Sequence, residues 1–376
     1  MKRLVLLGGG HAHVHVLQAI AEPPDSALSI TLISPVATQV YSGMLPGWIA
    51  GHYDLDECGI DLGPLARRAR ARVVPSSGVL VDPTRREVVC ANGEAVPYDV
   101  LSIDIGSQAF LGDAVGVEKY ATPVRPLERF VLAWEALVGR AQRGEIGSLS
   151  VVGGGAAGLE VAFAMEHRLR TLLGADAPHV RVLADTPVVL PDYGDGARSR
   201  LLRLAAKRNI GIHPSSRVAE VGAGFVRLRD NIEFASDATF WVAGAAANPL
   251  FRESGLRTDE RGFLLVNDFL QSVSHPEIFG AGDCATSLDH PRPKAGVFAV
   301  RAGPALVTNL RALLAGQPLV AHVTPKRFLA LIACGDKRAI GLYGAFTFGG
   351  RWVWHWKDRI DRRFLARYRV DEAPAA

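Results

Sequence analysis

The chain has 376 residues, enough for two or three domains that each bury a core. Apolar residues make up 48% and the formal net charge is only +4, which excludes a disordered chain and gives no reason to expect a nucleic-acid partner. Its four cysteines (Cys58, Cys90, Cys284 and Cys334) form no CxxC pair and no secreted-type disulfide framework, so the expected compartment is the cytoplasm.

In chain order, "KRLVLL" reads as a short buried strand that ends at Gly8. Its apolar run, Leu4 to Leu7, is shorter than the roughly 7–15 residues of a signal-peptide core, and no run approaches the ~18 needed to cross a bilayer. "HVHVLQAIAE" then has helical spacing at Val14, Leu17 and Ile20, and "LSITLIS" is a second strand. His11, His13 and His15 alternate as metal ligands do along a strand. On a helix, at about 100° per residue, His13 points away from the other two, so no metal site is expected. Instead Gly8 and Gly10 fill the first two positions of G-x-G-x-x-G between strand and helix. His13 stands at the third, which implies a wider helix–strand approach. Ser34 stands where a ribose-binding acid would end the second strand.

The pattern returns in "SLSVVGGGAAGLEVAFAMEHRLRTLL", now with Gly153, Gly155 and Gly158 at the full spacing and a further strand, "HVRVLAD". Ala184 fills the strand-end position and Asp185 follows it. Three glycines between strand and helix suit a pyrophosphate at a helix N-terminus; the other reading is a pair of tight turns. Two such sites in one chain would pair NADH or NADPH with a flavin, which accepts hydride and passes electrons on.

"GFLLVNDFLQSVSHPEIFGAGDCA" resembles the C-terminal flavin motif of the pyridine nucleotide-disulfide oxidoreductase superfamily, where the aspartate of a Gly-Asp pair, here Gly282-Asp283, bonds the ribityl chain of FAD. "YDVLSIDIGS" around Gly106 and "ATFWVAGAAANP" around Gly244 resemble its connecting motifs. "YSGMLPG" and the tail are similar to type II NADH dehydrogenases. "GGGHAH", "YSGMLPG" and "RWVWHWKDRIDRRF" resemble a bacterial branch associated with, or fused to, selenide, water dikinase.

The resemblance implies an α/β fold of two Rossmann-like domains, one inserted in the other: residues 1–115 and 262–320 for FAD, 116–261 for NAD(P)H, and a C-terminal segment, 321–376. It places FAD on Gly8, Gly10, His11, Ser34, Pro35, Ser42, Gly43, Gly106, Gly282, Asp283 and the backbone of Val297, and NAD(P)H on Gly153, Gly155, Gly158, Asp185 and Gly244. Glu160 falls where type II dehydrogenases carry a glutamate beside nicotinamide and flavin, and is the expected catalytic residue; the alternative is a carboxylate favoured by the helix dipole. The segment after the first unit holds only Cys58, so a CxxxxC relay is not expected, and the lack of any cysteine from Val151 to Asp283 argues against the sulfide:quinone chemistry of other members. The implied activity is electron transfer from NAD(P)H through FAD to a diffusible acceptor, a quinone or another small oxidant. Val297 and Arg301 replace glutamines at the quinone position of type II dehydrogenases, and Arg301 would suit an anionic acceptor. The alternative is a flavin-binding partner module serving a selenium-handling enzyme. In the tail, Trp352, Trp354 and Trp356 among basic residues suit a helix lying on the inner face of the cell membrane, a helix docked on the flavin domain, or a partner contact.

Overall fold

The computed structural model describes residues 1–21, 27–322 and 328–370; residues 323–327 and 371–376 of the expected C-terminal segment lie outside them. In β1 (Lys2–Leu7), Leu4 and Leu6 turn to one face and Val5 and Leu7 to the other, and all four are buried. A strand covered on both sides requires this. β1 leads to α1 (His11–Ile20), β2 (Leu28–Ile33), the short α2 (Leu45–Ile49), β3 (Arg72–Val74) and β4 (Val100–Ile103). The chain then crosses into a second unit: β5 (Ala121–Pro123), α3 (Leu127–Gln142), β6 (Ser148–Val152), α4 (Ala156–Leu173), β7 (His179–Leu183), α5 (Asp195–Lys207), β8 (Gly211–His213) and β9 (Ala238–Trp241). After the return, β10 (Ile278–Gly280) closes the first sheet. The two sheets run β10-β4-β1-β2-β3 and β5-β9-β6-β7-β8, with every pair parallel. This is the expected α/β architecture of two Rossmann-like domains, one inserted in the other.

The two crossings are stitched together, because Gln108–Ala109 pairs antiparallel with Ala245–Ala246. Gly106 and Gly244 precede these pairs with φ of +67° and +64°, a turn conformation that favours glycine. This pairing falls ahead of residue 261, the expected end of the inserted domain. Leu250, Phe251 and Leu256 already belong to the first domain's core with Val81, Tyr98 and Leu264.

After β10 comes α6 (Gly296–Ala315), twenty residues long and apolar enough to cross a membrane by length and composition, although no such run was expected. Part of that apolarity has a local cause: Ala302, Leu306 and Leu310 pack with α1 beneath the first sheet. The C-terminal segment is an antiparallel meander, β11 (Leu329–Ala333), β12 (Ala339–Tyr343) and β13 (Phe346–Gly350), followed by α7 (Arg351–Ala366). Ile332, Cys334, Ile340 and Leu342 join the core of the inserted domain, while Val353, Trp354, Phe364 and Leu365 of α7 join that of the first. Each large apolar side chain so buried contributes about 1.5–3 kcal/mol, and together they make the segment a strap across the domain boundary.

Arg208 fastens one end of this strap. It is 7% exposed, bonds Glu166 through Nε at 2.6 Å, donates to the Phe163 carbonyl at 3.0 Å, and also donates to the carbonyl of Cys334. Glu166 has a second cation, Arg170 at 3.1 Å, whose side chain is 46% exposed. Arg208→Met leaves a buried carboxylate short of its main partner and is expected to lower stability by about 3 kcal/mol in urea denaturation. Arg170→Met is expected to cost less than about 1 kcal/mol in the same experiment.

Candidate active site

The two glycine turns are built alike. Gly8 has φ +96° and Gly153 φ +135°, and a Cβ would strike the backbone of Asp104 in the first and of Val242 in the second. Gly10 and Gly155 cap α1 and α4 in extended conformation. A Cβ on Gly155 would meet nothing, so the approach to the α4 N-terminus is open. A Cβ on Gly158 would overlap the Gly153 carbonyl oxygen, which explains glycine there. The first turn has His13 instead, and its ring bridges the turn and the neighbouring strand. Nδ1 lies 2.6 Å from the Gly8 carbonyl and Nε2 2.8 Å from Ser102 Oγ. Burial pushes His13 down to about 4, so the ring is neutral, with Nδ1–H donating to the carbonyl and Nε2 accepting from the hydroxyl.

His15 points elsewhere, with Nδ1 3.3 Å from the Tyr368 hydroxyl, and His11 packs against Tyr41 and Phe364 at centroid separations of 5.4 and 6.1 Å. The three rings diverge. Ser34 and Ala184 stack on the middle glycines, Gly9 and Gly154. The Ser34 hydroxyl donates to the Val36 carbonyl at 2.9 Å. Pro35 and Asp185, the next residues along, are exposed.

Around the first turn, Asp283 follows Gly282 (φ +70°) and is paired with Arg125 at 3.1 Å; Arg125 also donates to the Ser107 hydroxyl. Ala295 caps α6, which puts Val297 in its first turn with its amide among those the helix leaves unbonded. Ser42 Oγ would lie 3.2 Å from a Cβ on Gly296, so the Ser42–Gly43 loop closes on the helix start. Two buried polar atoms have no partner here: His11 Nε2, on a ring that burial holds neutral near 4, and Arg301 Nη1, one turn along α6 from Val297. A glycine cradle, open helix amides and orphaned polar atoms fit a dinucleotide with polar edges.

Glu160 lies in the first turns of α4, where the three parts of the chain meet. Its Oε1 accepts from the Ala333 amide of β11 at 2.7 Å. From α7, Lys357 donates to Asp361 at 2.6 Å and to the Gly43 carbonyl at 2.5 Å. Burial pushes Glu160 up to about 7, against the pull of the Lys357 charge and the Ala333 amide. Lys357 is also buried, which would lower its pKa, but the Asp361 and Glu160 carboxylates outweigh this and raise it. Tyr41 is raised by burial and by Asp361, so its phenol stays protonated. Trp354 packs inward at 7% exposure while Trp352 (57%) and Trp356 (40%) face out, so the three tryptophans do not act as one group.

The four cysteines are unpaired and buried. Burial pushes Cys58, Cys284 and Cys334 up to about 12 and raises Cys90, so none offers a thiolate at neutral pH. Sequence reasoning missed Asp104, Arg125 and the Lys357–Asp361 pair as site residues. Asp104 was visible as a lone acid in an apolar strand end. The pair was visible as an i, i+4 couple on the apolar stripe Val353, Trp354, Phe364.

Residues 2–305 match the pyridine nucleotide-disulphide oxidoreductase family. An NADH dehydrogenase-like protein of Mycobacterium tuberculosis is 27% identical over 240 residues, covering 62% of this chain and 60% of that protein, so the chain spans less than two thirds of that relative's length. The type II NADH:quinone oxidoreductase NdhA of the same organism is 24% identical over 94% of this chain and 81% of its own length. Among solved structures, the sulfide:quinone oxidoreductase of Aquifex aeolicus superposes with a TM-score of 0.83 at 19% identity, over 98% of this chain and 92% of that one. NDH2 of Plasmodium falciparum, solved with NADH, gives 0.82 at 13% identity, over 98% and 97%. With two parallel sheets joined at Gly106 and Gly244 and a family match over residues 2–305, this chain is a member of the pyridine nucleotide-disulphide oxidoreductase family, whose members bind FAD and NAD(P)H.

Proposed function

We propose that this protein is an NAD(P)H oxidoreductase that passes electrons to a small, oxygen-bearing acceptor, a quinone or a similar oxidant, without a redox disulfide. The observation that carries this reading is the meeting of Glu160, Lys357 and Asp361 between the two glycine turns. FAD, held by the Gly8–Gly10 turn, Gly282-Asp283 and the α6 start, would accept hydride from NAD(P)H and deliver the electrons onward. The α6 N-terminus with the Val297 amide supplies positive potential where negative charge develops. Reduction of a quinone by NAD(P)H consumes one solvent proton beyond the hydride. Glu160, protonated below about 7 and under the Lys357 charge, would hand it on. The buried thiols argue against a disulfide relay. Arg301 Nη1, buried without a partner, suits an acceptor oxygen or carboxylate. Lys357 and Tyr41 orient the junction through Asp361.

The outer face of α7 supports contact with an anionic bilayer. Phe348, Trp352 and Trp356 stack in a ladder at centroid separations of 5.4 and 6.3 Å, beside Phe346 at 77% exposure. At Gly350 the ladder joins a groove of about 380 Å³ lined by Arg200, Arg203, Lys207 and Arg338. Aromatic rings next to a basic groove suit a headgroup layer. A selenide, water dikinase partner rests on the resemblance of the three short segments and would compete for the same face.

Three outcomes are expected. Anaerobic NADH or NADPH bleaches the flavin absorption of the purified protein; Gly158→Val keeps the flavin but is not bleached, because its side chain would occupy the Gly153 carbonyl. Retention of bleaching in Gly158→Val would overturn the assignment of the second turn. For Glu160, quinone turnover in the wild type falls as pH rises through about 7, the range in which the carboxyl loses its proton. Glu160→Gln lowers kcat about 10²-fold and removes this limb; an unchanged pH profile would rule out the relay. Third, the protein sediments with phosphatidylglycerol vesicles at low salt, and Trp352→Ala with Trp356→Ala abolishes this. Equal sedimentation with neutral vesicles would argue against the basic groove.

A further inference from the structure

The two glycine turns serve as controls for each other. The Asp104 amide donates to the Leu7 carbonyl at 2.9 Å as the Val242 amide donates to Val152 at 2.8 Å, and each backbone blocks a Cβ on the first glycine of its turn. Asp104 and Val242 are thus equivalent positions, one carrying a carboxyl and the other an apolar side chain.

The Asp104 carboxyl lies in the pyrophosphate cradle. It is 2% exposed, and Oδ2 accepts the α1 amides of Ala12 at 2.8 Å and His13 at 3.4 Å. A Cβ on Gly10 would collide with the whole carboxyl group, and one on Gly282 with Oδ1, so both glycines of the FAD signature are shaped around this acid. No cation is among the charged groups that act on it. From α1 come His11 and His13, both held neutral by burial. From the segment 282–284 come the Asp283 carboxylate and the Cys284 thiol, which burial keeps protonated. From α6, Ala299 lies beside Gly282, and the Arg301 charge does not act on the Asp104 carboxyl. Arg125 is committed to Asp283 and Ser107, and Lys294 donates to the Ala285 carbonyl at 2.5 Å and Thr286 at 2.9 Å. Burial already pushes Asp104 up to about 7, with the Asp283 charge helping against the two amides. A diphosphate entering this cradle would add negative charge beside two carboxylates, of which Asp283 alone has an arginine.

We propose that Asp104 holds FAD as a neutral acid, keeping its carbonyl oxygen on the α1 amides and giving its O–H to the diphosphate, so that FAD binding takes up one proton from solvent. This rests on the FAD assignment of the first turn. Asn mimics the neutral acid, with a carbonyl for the amides and an N–H for the phosphate.

The test follows FAD release from the diluted holoenzyme by flavin fluorescence between pH 6 and 9, with proton release measured by an indicator dye. Below about 7 the acid is protonated with and without FAD, so affinity is flat. Above it, protonation must accompany binding, and Kd rises about tenfold per pH unit. About one proton leaves with each FAD at pH 8. Asp104→Asn is expected to bind FAD as tightly at pH 9 as at pH 6. A flat wild-type profile with no proton release overturns the proposal, as does a folded Asp104→Asn variant that keeps the slope. If the variant fails to fold, wild-type proton release still decides. A protein that takes up no flavin at any pH would instead refute the FAD assignment itself.

Discussion

The arrangement of the site depends on one buried ammonium, that of Lys357. It sits on the C-terminal helix, bonds a carbonyl of the first domain at Gly43, pairs with Asp361, and faces Glu160 of the inserted domain. A charge without water must find its partners in the protein, and these partners come from all three parts of the chain. The strap of meander and α7 follows from this. Its apolar residues give it binding energy in both cores, and the lysine gives it register. Arg208 repeats the device at the far end of the meander. The electrostatic junction and the packing that joins the three parts of the chain are therefore one feature.

The same rule separates the two glycine turns. In the second, small residues let α4 lie against β6, and the cradle is apolar and open. In the first, His13 and Asp104 add two polar groups to the turn, each satisfied by backbone or hydroxyl partners. These replacements look, residue by residue, like an eroded signature. In the fold they form a polar layer that links β4 to α1 through hydrogen bonds.

The cysteines and tryptophans show how environment overrides residue type. Four thiols in a family named for disulfide chemistry are all buried, and burial keeps them protonated. Three tryptophans within five positions divide between core and surface, because successive even positions on a helix are about 200° apart. The inward ring contacts His52 and Tyr53, whereas the outward pair continues the ladder from Phe348. One segment thus both docks on the protein and presents an aromatic face.

Much of this was legible in the sequence, because its signals are local. Strand alternation, glycine spacing and helix periodicity act over a few residues, so β1, both glycine turns, α1 and α4 could be read directly. The parallel sheets and the inserted order required the resemblance around Gly106, Gly244 and Gly282-Asp283. What local pattern could not carry was any contact between distant segments. The pairing at Ala246, the charge cluster that brings residues 43 and 160 to the 357–361 couple, and the wedge of Asp104 between Gly10 and Gly282 each join segments more than 90 residues apart. Their chemistry depends on burial, and burial is a property of the packed chain: an aspartate, a lysine or a histidine acquires its charge state from neighbours that only the tertiary structure supplies.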